Sequence, residues 1–517
     1  MSTATAEHVD VLIVGAGISG IDAAYHLQKR CPGKSYAIME GRDAIGGTWD
    51  LFRYPGIRSD SDMYTFGFGW RPWPNAKAIS DRESILRYLN DAVREQGIDR
   101  KIRFNHRVKR ASWSTDDACW TVEYERRGST EPERLRCGFL FMCTGYYAFE
   151  KGYTPDFPGT ERFGGRIVHP QHWPEDLDYS GKRVVIIGSG ATAVTLLPAM
   201  AQTAAHVTML QRSPTFMISM PSEDPLAHAL RRILPMRAVH PIVRWKNVLF
   251  QRAVFAACRA WPERARSFLI DRMRPDLPAG YDVATHLTPR YNPWEQRLCL
   301  VPDGDFFAAL SSGRASIVTD HVESFTEKGI RLKSGAELEA DVIVTATGLD
   351  LRFLSNLEVS VDGERRDLVQ SLPYKGLMAT DVPNLAWVFG YTNASWTLRA
   401  DLVCEWVCRL LNHMDAAGVR QATPRLRDPE VERLQPFDFS SGYFERAMDR
   451  FPKQGSKDPW RLDQNYLADL RRLRLGPIDD GVLELSSPAP RARARRAPSP
   501  ARRLGRKLGD RLAAALR

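Results

Sequence analysis

Residues 9–20, VDVLIVGAGISG, join a short β-branched apolar run to three glycines, Gly15, Gly17 and Gly20. Residues 21–30, IDAAYHLQKR, follow with the apolar spacing of a helix. In a strand–turn–helix unit of this kind, the glycines let the backbone approach a pyrophosphate at the N-terminus of the helix. The stretch therefore predicts a parallel α/β unit that binds a dinucleotide.

The next strand-like run, AIME, ends at Glu40, twenty residues after Gly20. An acid at this distance accepts hydrogen bonds from the ribose hydroxyls of a dinucleotide. Its negative charge would repel a 2′-phosphate, so this unit is predicted to bind FAD or NAD rather than NADP.

A second unit of the same design begins at residue 183 with RVVIIGSGATA. Gly188, Gly190 and Ala193 occupy its three glycine positions, and its second strand, HVTMLQR, ends at Gln211-Arg212 without an acid. An arginine can bind a 2′-phosphate bidentately, so this unit is predicted to bind NADPH. The alternative is that Arg212 is a solvated surface residue.

Two such units predict an α/β chain of two Rossmann-like domains with a helical insertion. Strand-like segments at 139–147 and 341–350 flank the second unit and suggest that it is inserted into the first domain. The predicted ranges are 1–150 and 343–485 for the FAD domain, 151–342 for the NADPH domain with helices at about 222–285, and 486–517 for a basic low-complexity tail.

The net charge of +10 comes almost entirely from this tail. Residues 491–517 hold ten Lys or Arg and one acid; removing them from totals of 72 and 62 leaves 62 basic and 61 acidic residues. A nearly neutral body predicts no nucleic-acid surface. Four leucines at i+4 spacing, Leu504 to Leu516, fit either a helix lying on an anionic membrane surface or a solvated tail.

The eight cysteines are scattered and form no CxxC pair, as expected for reduced thiols in a cytoplasmic protein. The sequence shows no signal peptide and no apolar run long enough to span a membrane. Residues 41–70 contain no cysteine, which excludes a disulfide reductase with a redox pair at this position. The sequence does not indicate an oligomeric state.

Two motifs give the chain a family resemblance. The first is Gly46-Gly47-Thr48-Trp49 followed by Tyr54-Pro55-Gly56 and Asp60; the second is residues 163–174, FGGRIVHPQHWP. They resemble the signatures of type I Baeyer–Villiger monooxygenases, and further stretches between about residues 8 and 480 resemble the ethionamide-activating FAD-containing monooxygenases of mycobacteria. The second motif is implied to set the angle between the two domains; an ordinary surface loop is the alternative, and a metal site lacks a third nearby ligand.

The resemblance implies an enzyme in which NADPH reduces FAD and the reduced flavin activates O₂. The products would be esters or lactones from ketones, and oxygenated sulfur from sulfides or thioamides. The oxygen adduct is an anion that needs a neighbouring cation which keeps its proton, and Arg is the side chain that guarantees one. The resemblance assigns this role to Arg297 in YNPWEQRLCL, oriented by Asp60, although a structural arginine is the alternative.

The glycine motifs and the resemblance together give the predicted cofactor-binding residues. For FAD these are Gly15, Gly17, Ser19, Gly20, Glu40, Thr48, Trp49 and Val108; for NADPH they are Arg58, Ser59, Asp60, Gly188, Ser189, Gly190, Ala191, Thr192, Ala193, Gln211 and Arg212. Ser59 departs from the cysteine that some Baeyer–Villiger enzymes carry at this position.

Two other functions fit parts of the pattern. A flavin-containing or N-hydroxylating monooxygenase would oxygenate amines and leave ketones unchanged. A non-catalytic flavin-bound interaction protein would need neither Asp60 nor Arg297, so the presence of both residues argues against it.

Overall fold

The computed structural model of the chain describes residues 7–487. The helix predicted in the tail lies outside the described residues, as does most of the tail itself. The predicted α/β class with two Rossmann-like units is confirmed, and the strands divide between two main sheets.

The strands are, in chain order, β1 (His8–Val14), β2 (Tyr36–Met39), β3 (Ile102–Arg103), β4 (His106–Ser114), β5 (Cys119–Arg126), β6 (Glu133–Met142), β7 (Arg166–Val168), β8 (Arg183–Ile187), β9 (His206–Gln211), β10 (Met217–Met220), β11 (Cys299–Pro302), β12 (Ala315–Thr319), β13 (Val322–Phe325), β14 (Gly329–Leu332), β15 (Glu337–Glu339) and β16 (Val342–Thr345). The later strands are β17 (Glu358–Val361), β18 (Glu364–Arg366), β19 (Pro373–Tyr374), β20 (Met378–Ala379), β21 (Leu385–Trp387), β22 (Gln421–Pro424), β23 (Arg433–Leu434), β24 (Gln454–Gly455) and β25 (Leu483–Ser486).

The α-helices are α1 (Ile18–Arg30), α2 (Thr48–Leu51), α3 (Met63–Phe66), α4 (Arg82–Glu95), α5 (Ala191–Met200), α6 (Pro225–Arg231), α7 (Met236–Ala260), α8 (Pro262–Met273), α9 (Val283–His286), α10 (Asp305–Ser311), α11 (Trp396–Ala417), α12 (Gly442–Glu445) and α13 (Tyr466–Asp469), and short 3₁₀ and π turns complete the helical segments. Among the residues that the structure describes, no helix is both long enough and apolar enough to cross a membrane.

The first sheet has eleven strands, and its central part runs in the order β5-β6-β1-β2-β3. Strand β1 pairs in parallel with β2 and β6, so its apolar residues are buried on both faces. After the second sheet the chain returns to the first, where β21 pairs in parallel with β6 and β17 pairs in parallel with β4. Helices α1 and α11 pack together against this sheet and form its largest core.

The second sheet is fully parallel, with the strand order β12-β9-β8-β16-β7. Its strands fall between Arg166 and Thr345, so β16 carries this sheet slightly past the boundary expected at residue 342. Helices α6, α7 and α8 follow β10 and occupy the region in which the helical insertion was expected. The exact domain boundaries stay a prediction.

The HPQHWP motif bonds to both chain connections between the two sheets. The His169 Nε2 atom lies 3.2 Å from the Gly348 carbonyl oxygen, on the returning connection. On the outgoing connection, the Gln171 amide donates to the Ala148 carbonyl at 2.6 Å, and His172 Nε2 lies 3.0 Å from the Glu150 carbonyl. The motif therefore ties the two connections to each other, in line with a role in setting the angle between the sheets.

Candidate active site

A cavity of about 1210 Å³ lies between the two sheets. Both glycine turns open into it, together with residues from the ends of β2 and β9. Every predicted site residue lines this cavity except Gly20 and Ala193. The structure thus brings together residues from both halves of the sequence in one chamber large enough for extended ligands.

Gly20 and Ala193 do not line the cavity, but they determine how each helix packs against its strand. A Cβ atom at Gly20 would lie 1.9 Å from the carbonyl oxygen of Gly15, so only glycine fits where α1 crosses the turn. Ala193 is fully buried in the core of the second sheet, where its small side chain is tolerated. The third position of each glycine motif therefore sets the distance between the helix and the strand before it.

The N-termini of α1 and α5 suit a pyrophosphate. Their N-cap residues, Gly17 and Gly190, provide no capping side chain, so the first backbone N–H groups of each helix are left for a ligand. Gly15 and Gly188 precede them with φ values of 105° and 137°, which L side chains rarely adopt. Ser189, Ala191 and Thr192 line the cavity at the second turn.

Glu40 lies immediately after β2 with both carboxylate oxygens facing backbone donors. The N–H of Ala16 donates to Oε2 at 2.8 Å and the N–H of Arg42 donates to Oε1 at 3.0 Å. Burial raises the pKa of Glu40, and these two hydrogen bonds oppose the rise without cancelling it. Each oxygen retains a lone pair for a ribose hydroxyl.

The remaining predicted FAD residues surround the first turn. Ser19 Oγ accepts a hydrogen bond from Trp396 Nε1 at 2.8 Å. Thr48 and Trp49 begin α2 directly after Gly47, and Val108 contributes from β4. Trp396 was not found from the sequence, because its link to Ser19 joins the start of α11 to the start of α1.

At the second turn, Arg212 is exposed at the cavity, whereas Gln211 is buried. The Gln211 amide donates to the His286 carbonyl at 2.8 Å and to Thr319 Oγ1 at 2.9 Å, so it bonds to neighbouring protein groups. Lys333 and Arg446 line the same cavity and add positive charge. Lys333 and Arg446 belong to no local sequence motif, and neither was predicted from the sequence.

Arg58 and Ser59 also reach the cavity, but each bonds to the protein. Arg58 forms an ion pair with Asp305, including a contact of 3.2 Å between Nη2 and Oδ1. Ser59 Oγ accepts a hydrogen bond from the Ser80 N–H at 3.1 Å. Their contacts with NADP stay a prediction.

Arg297 and Asp60 meet in the cavity, with 2.6 Å between Nη2 and Oδ2. Arg297 Nη1 also donates to the Thr392 carbonyl at 3.5 Å. The loop before β11 bends at Trp294, whose φ is 70°, three residues before Arg297. Burial acts to lower the pKa of Arg297, but the charge of Asp60 outweighs burial and the pKa is raised. The guanidinium therefore stays cationic at every physiological pH.

A small aromatic pocket of about 10 Å³, room for no more than one water molecule, adjoins Arg297. The pocket-lining residues are Tyr146, Phe389, Tyr391, Thr392, Trp396, Phe439, Tyr443 and Phe444, together with Arg297 itself. Tyr146 stacks on Trp396 with ring centroids 5.2 Å apart. Burial raises the pKa values of Tyr146 and Tyr443, so both phenols are neutral. Arg297 is thus flanked by aromatic side chains, several of which also line the large cavity.

Two uncapped helix N-termini, a ribose-type acid and a fixed cation in one cavity define a protein with two dinucleotide sites. The family described as flavin-binding monooxygenase-like matches residues 68–240, and the NAD(P)-binding Rossmann-like domain matches residues 13–82. The FAD-containing monooxygenase EthA of Mycobacterium tuberculosis strain H37Rv is 54% identical over 486 residues, which cover 94% of this chain and 99% of the relative. EthA of Mycolicibacterium smegmatis is 52% identical, with coverages of 93% and 97%.

Solved structures share the fold. Oxidized steroid monooxygenase bound to NADP superposes with a TM-score of 0.71 at 23% identity, covering 93% of this chain and 100% of that one. The open structure of cyclohexanone monooxygenase gives 0.72 at 21% identity, with the same coverages. The chain belongs to the FAD-containing monooxygenases related to EthA, and the family resemblance predicted from the sequence is confirmed.

Proposed function

We propose that this monooxygenase uses NADPH and O₂ to insert one oxygen atom next to a ketone carbonyl, which is a Baeyer–Villiger oxidation to an ester or lactone. The observation that carries the proposal is the Arg297–Asp60 pair in the cavity that joins the two dinucleotide turns. Oxygen insertion next to a carbonyl requires such a cation, whereas FAD binding alone does not require it.

FAD, when bound and reduced, supplies the activation of O₂. The first turn and Glu40 would hold its pyrophosphate and ribose, and the second turn with Arg212 would hold NADPH. Both turns fit these groups, because their helices lack side-chain caps and their glycines leave the backbone accessible. The names of two solved relatives, one bound to NADP and one in complex with FAD and NADP, support the same pair of cofactors.

Arg297 would stabilise negative charge that develops on oxygen during the reaction. A unit charge pair about 4 Å apart at an effective dielectric of about 20 contributes roughly 4 kcal/mol, or about a thousandfold in rate. Asp60 would orient the guanidinium and hold its charge. The aromatic pocket beside Arg297 is too small for a ketone, but Tyr146, Trp396 and Tyr443 also line the main cavity, where they would exclude water and receive the apolar part of the ketone.

Sulfur oxygenation is a second activity that the same site supports. A sulfide or thioamide is uncharged, as a ketone is, and would lie against the same aromatic side chains of the main cavity. The Arg297–Asp60 pair, which would stabilise negative charge on oxygen, supports ketones over the amines of the alternative hypothesis.

The test is product analysis with ¹⁸O₂. The FAD-loaded enzyme is reduced by NADPH without oxygen and then mixed with ¹⁸O₂ and a cyclic ketone, a thioether or a tertiary amine. We expect one labelled oxygen atom in a lactone and in a sulfoxide. N-oxide as the main product, or NADPH consumption without any labelled lactone, would contradict the proposal.

We also propose a cytoplasmic location with peripheral contact of the basic tail to the inner membrane face. All eight cysteines lie within the described residues and are buried as free thiols, which suits a reducing compartment. The tail contact is supported by its sequence alone, ten basic residues against one acid in residues 491–517. Membrane pelleting that is unchanged after deletion of residues 488–517 would dispose of it.

A further inference from the structure

Exposed apolar side chains are concentrated on three consecutive helices. Of the twelve large hydrophobic residues that are exposed in the part of the chain described, nine lie between Leu226 and Phe268, on or beside α6, α7 and α8. They are Leu226, Ile233, Leu234, Ile242, Trp245, Leu249, Phe250, Trp261 and Phe268. Apolar exposure clustered in this way indicates an interaction surface.

Helix α7 shows why these residues stay exposed. Its buried side is fixed to the first sheet's helices by polar contacts: Arg244 Nη1 donates to the Tyr64 carbonyl at 2.8 Å, and Asn247 Nδ2 donates to Asp62 Oδ1 at 2.8 Å. Ile242, Trp245 and Leu249 are spaced three and four residues apart on the opposite side. The contacts of Arg244 and Asn247 set the rotation of the helix, so the apolar stripe faces outward.

The same helices are strongly basic. Residues 225–274 contain eleven Lys or Arg and two acids, Glu263 and Asp271; three of the cations pair with Asp224, Asp271 or Asp438, and the others leave an excess of positive charge. Arg237 and Arg252 are exposed on α7, and Arg264 and Arg272 are exposed on α8. In α8 these two arginines share a helical face with Trp261 and Phe268, because the four residues follow at intervals of three to four.

We propose that the exposed side of α6, α7 and α8, here called the basic apolar face, docks on an anionic membrane surface. Amphipathic helices bind at the headgroup boundary by burying aromatic and aliphatic side chains while neighbouring cations attract anionic lipid. Trp245 and Trp261 are suited to this boundary because an indole is apolar with one polar edge. The surface is formed by residues 225–274, a different part of the sequence from the C-terminal tail.

The charge pattern argues against other occupants. A second copy meeting the same face would bring two sets of excess positive charge together. A nucleic acid would be attracted by the arginines, but the aliphatic stripe of Ile242 and Leu249 offers no hydrogen bond to phosphate or bases. A bilayer surface satisfies both the charge and the apolar groups.

The experiment uses the full chain loaded with FAD and measures co-sedimentation with phosphatidylcholine vesicles, with or without phosphatidylglycerol. The apolar variant is Leu249→Gln, Phe250→Gln and Phe268→Gln, three side chains more than half exposed, so folding is little affected. Its matched control is Leu434→Gln with Leu475→Gln, which are exposed outside the basic apolar face. FAD absorbance and NADPH oxidation without vesicles report on folding.

We expect binding to phosphatidylglycerol vesicles that weakens with salt, at least about tenfold weaker binding by the apolar variant, and no change in its control. Arg237→Gln with Arg252→Gln should weaken binding by about fivefold per charge. The matched control for charge is Arg94→Gln with Arg100→Gln, two exposed arginines elsewhere.

Several results would overturn the proposal. One is absence of binding, or equal binding to neutral vesicles. Another is an apolar variant that binds like wild type while deletion of residues 488–517 abolishes binding, which would assign membrane contact to the tail. If the apolar variant kept its vesicle binding but changed its oligomeric mass, the face would be assigned to a second copy of the chain. If it kept its vesicle binding but lost binding to single-stranded DNA, the face would be assigned to nucleic acid.

Discussion

Arg297 Nη2 lies 2.6 Å from Asp60 Oδ2, although the two residues come from different parts of the fold. Asp60 lies shortly after the first glycine unit, and Arg297 lies in the loop before β11. The pair forms only when the helical insertion and the second sheet are folded against the first. Its place in the shared cavity makes oxygen insertion sensitive to the relation between the two units.

Replacing Arg297 by Ala should abolish lactone formation and leave FAD bound. The expected fall in the rate of oxygen insertion is about a thousandfold, because the fixed cation contributes roughly 4 kcal/mol. The measurement is lactone yield per NADPH oxidised. Arg297→Lys should recover part of the activity, and normal lactone formation in the alanine variant would refute the assignment.

Replacing Asp60 by Ala should lower the rate of lactone formation by about tenfold to a hundredfold, since Arg297 would lose the partner that orients it. Asp60→Glu should restore part of the rate, because it keeps the charge. Steady-state kinetics with a cyclic ketone separate this loss from weaker NADPH binding. An unchanged turnover number in the alanine variant would show that Asp60 does not orient Arg297.

Arg212→Ala should weaken NADPH binding by about tenfold or more and change NADH binding little. The reason is that the 2′-phosphate, which NADH lacks, is the group that a guanidinium at this position would bind. Rapid anaerobic reduction of the flavin at varied nucleotide concentration gives both dissociation constants. Equal losses for NADPH and NADH would remove Arg212 from the 2′-phosphate site.

Gly20→Ala should yield protein without FAD or destabilise folding by about 3 kcal/mol, because the added Cβ would lie 1.9 Å from the Gly15 carbonyl oxygen. Gly33→Ala is the matched control, since nothing lies within 4 Å of a Cβ atom there. FAD content and thermal unfolding measure both effects. Full FAD occupancy in Gly20→Ala would contradict the packing argument.

A buried cluster of Asp22, His26 and Asp401 predicts that stability falls as the pH rises. Burial and the neighbouring Asp401 raise the pKa of Asp22 to about 7. Burial acts to lower the pKa of His26, but its hydrogen bond to Asp401 and the charge of Asp22 outweigh burial and raise it. Both groups bind protons more tightly when folded. The stabilisation from Asp22 is therefore complete below the pKa of 3.8 that an unfolded carboxyl has and is lost as the pH rises to about 7, and that from His26 is lost as the pH rises above 6.5.

The expected decrease is roughly 2 °C in the melting temperature between about pH 5.5 and about pH 8, for a chain of this size. Asp22→Asn should remove most of this difference, because it cannot ionise and still accepts the hydrogen bond that Trp70 Nε1 donates at 2.9 Å. Thermal unfolding across this pH range is the measurement. An identical pH dependence in the variant would exclude Asp22 as its source.

The parts of the site that depend on local backbone geometry could be predicted from the sequence. Gly15, Gly20 and Gly188 belong to short units in which each of these glycines has a steric reason, and the acid at Glu40 follows at a fixed distance. Arg297 was found only through family resemblance, because no local pattern links it to Asp60.

Other features depend on tertiary contacts and were not predictable. Trp396 reaches Ser19 from a helix far along the chain, and Lys333 enters the cavity from the end of β14. The bonding of Gln211 to His286 and Thr319 likewise depends on how α9 and β12 pack. A local sequence pattern does not predict these tertiary contacts between distant segments.

The bonds from His169, Gln171 and His172 to both connections have a consequence for motion. The connections at 148–150 and 348 cannot swing separately, because a short rigid segment clamps one to the other. Rotation of the second sheet would have to break the clamp or carry both connections with it as one hinge. Opening of the chamber to exchange nucleotide is therefore expected to move both connections together.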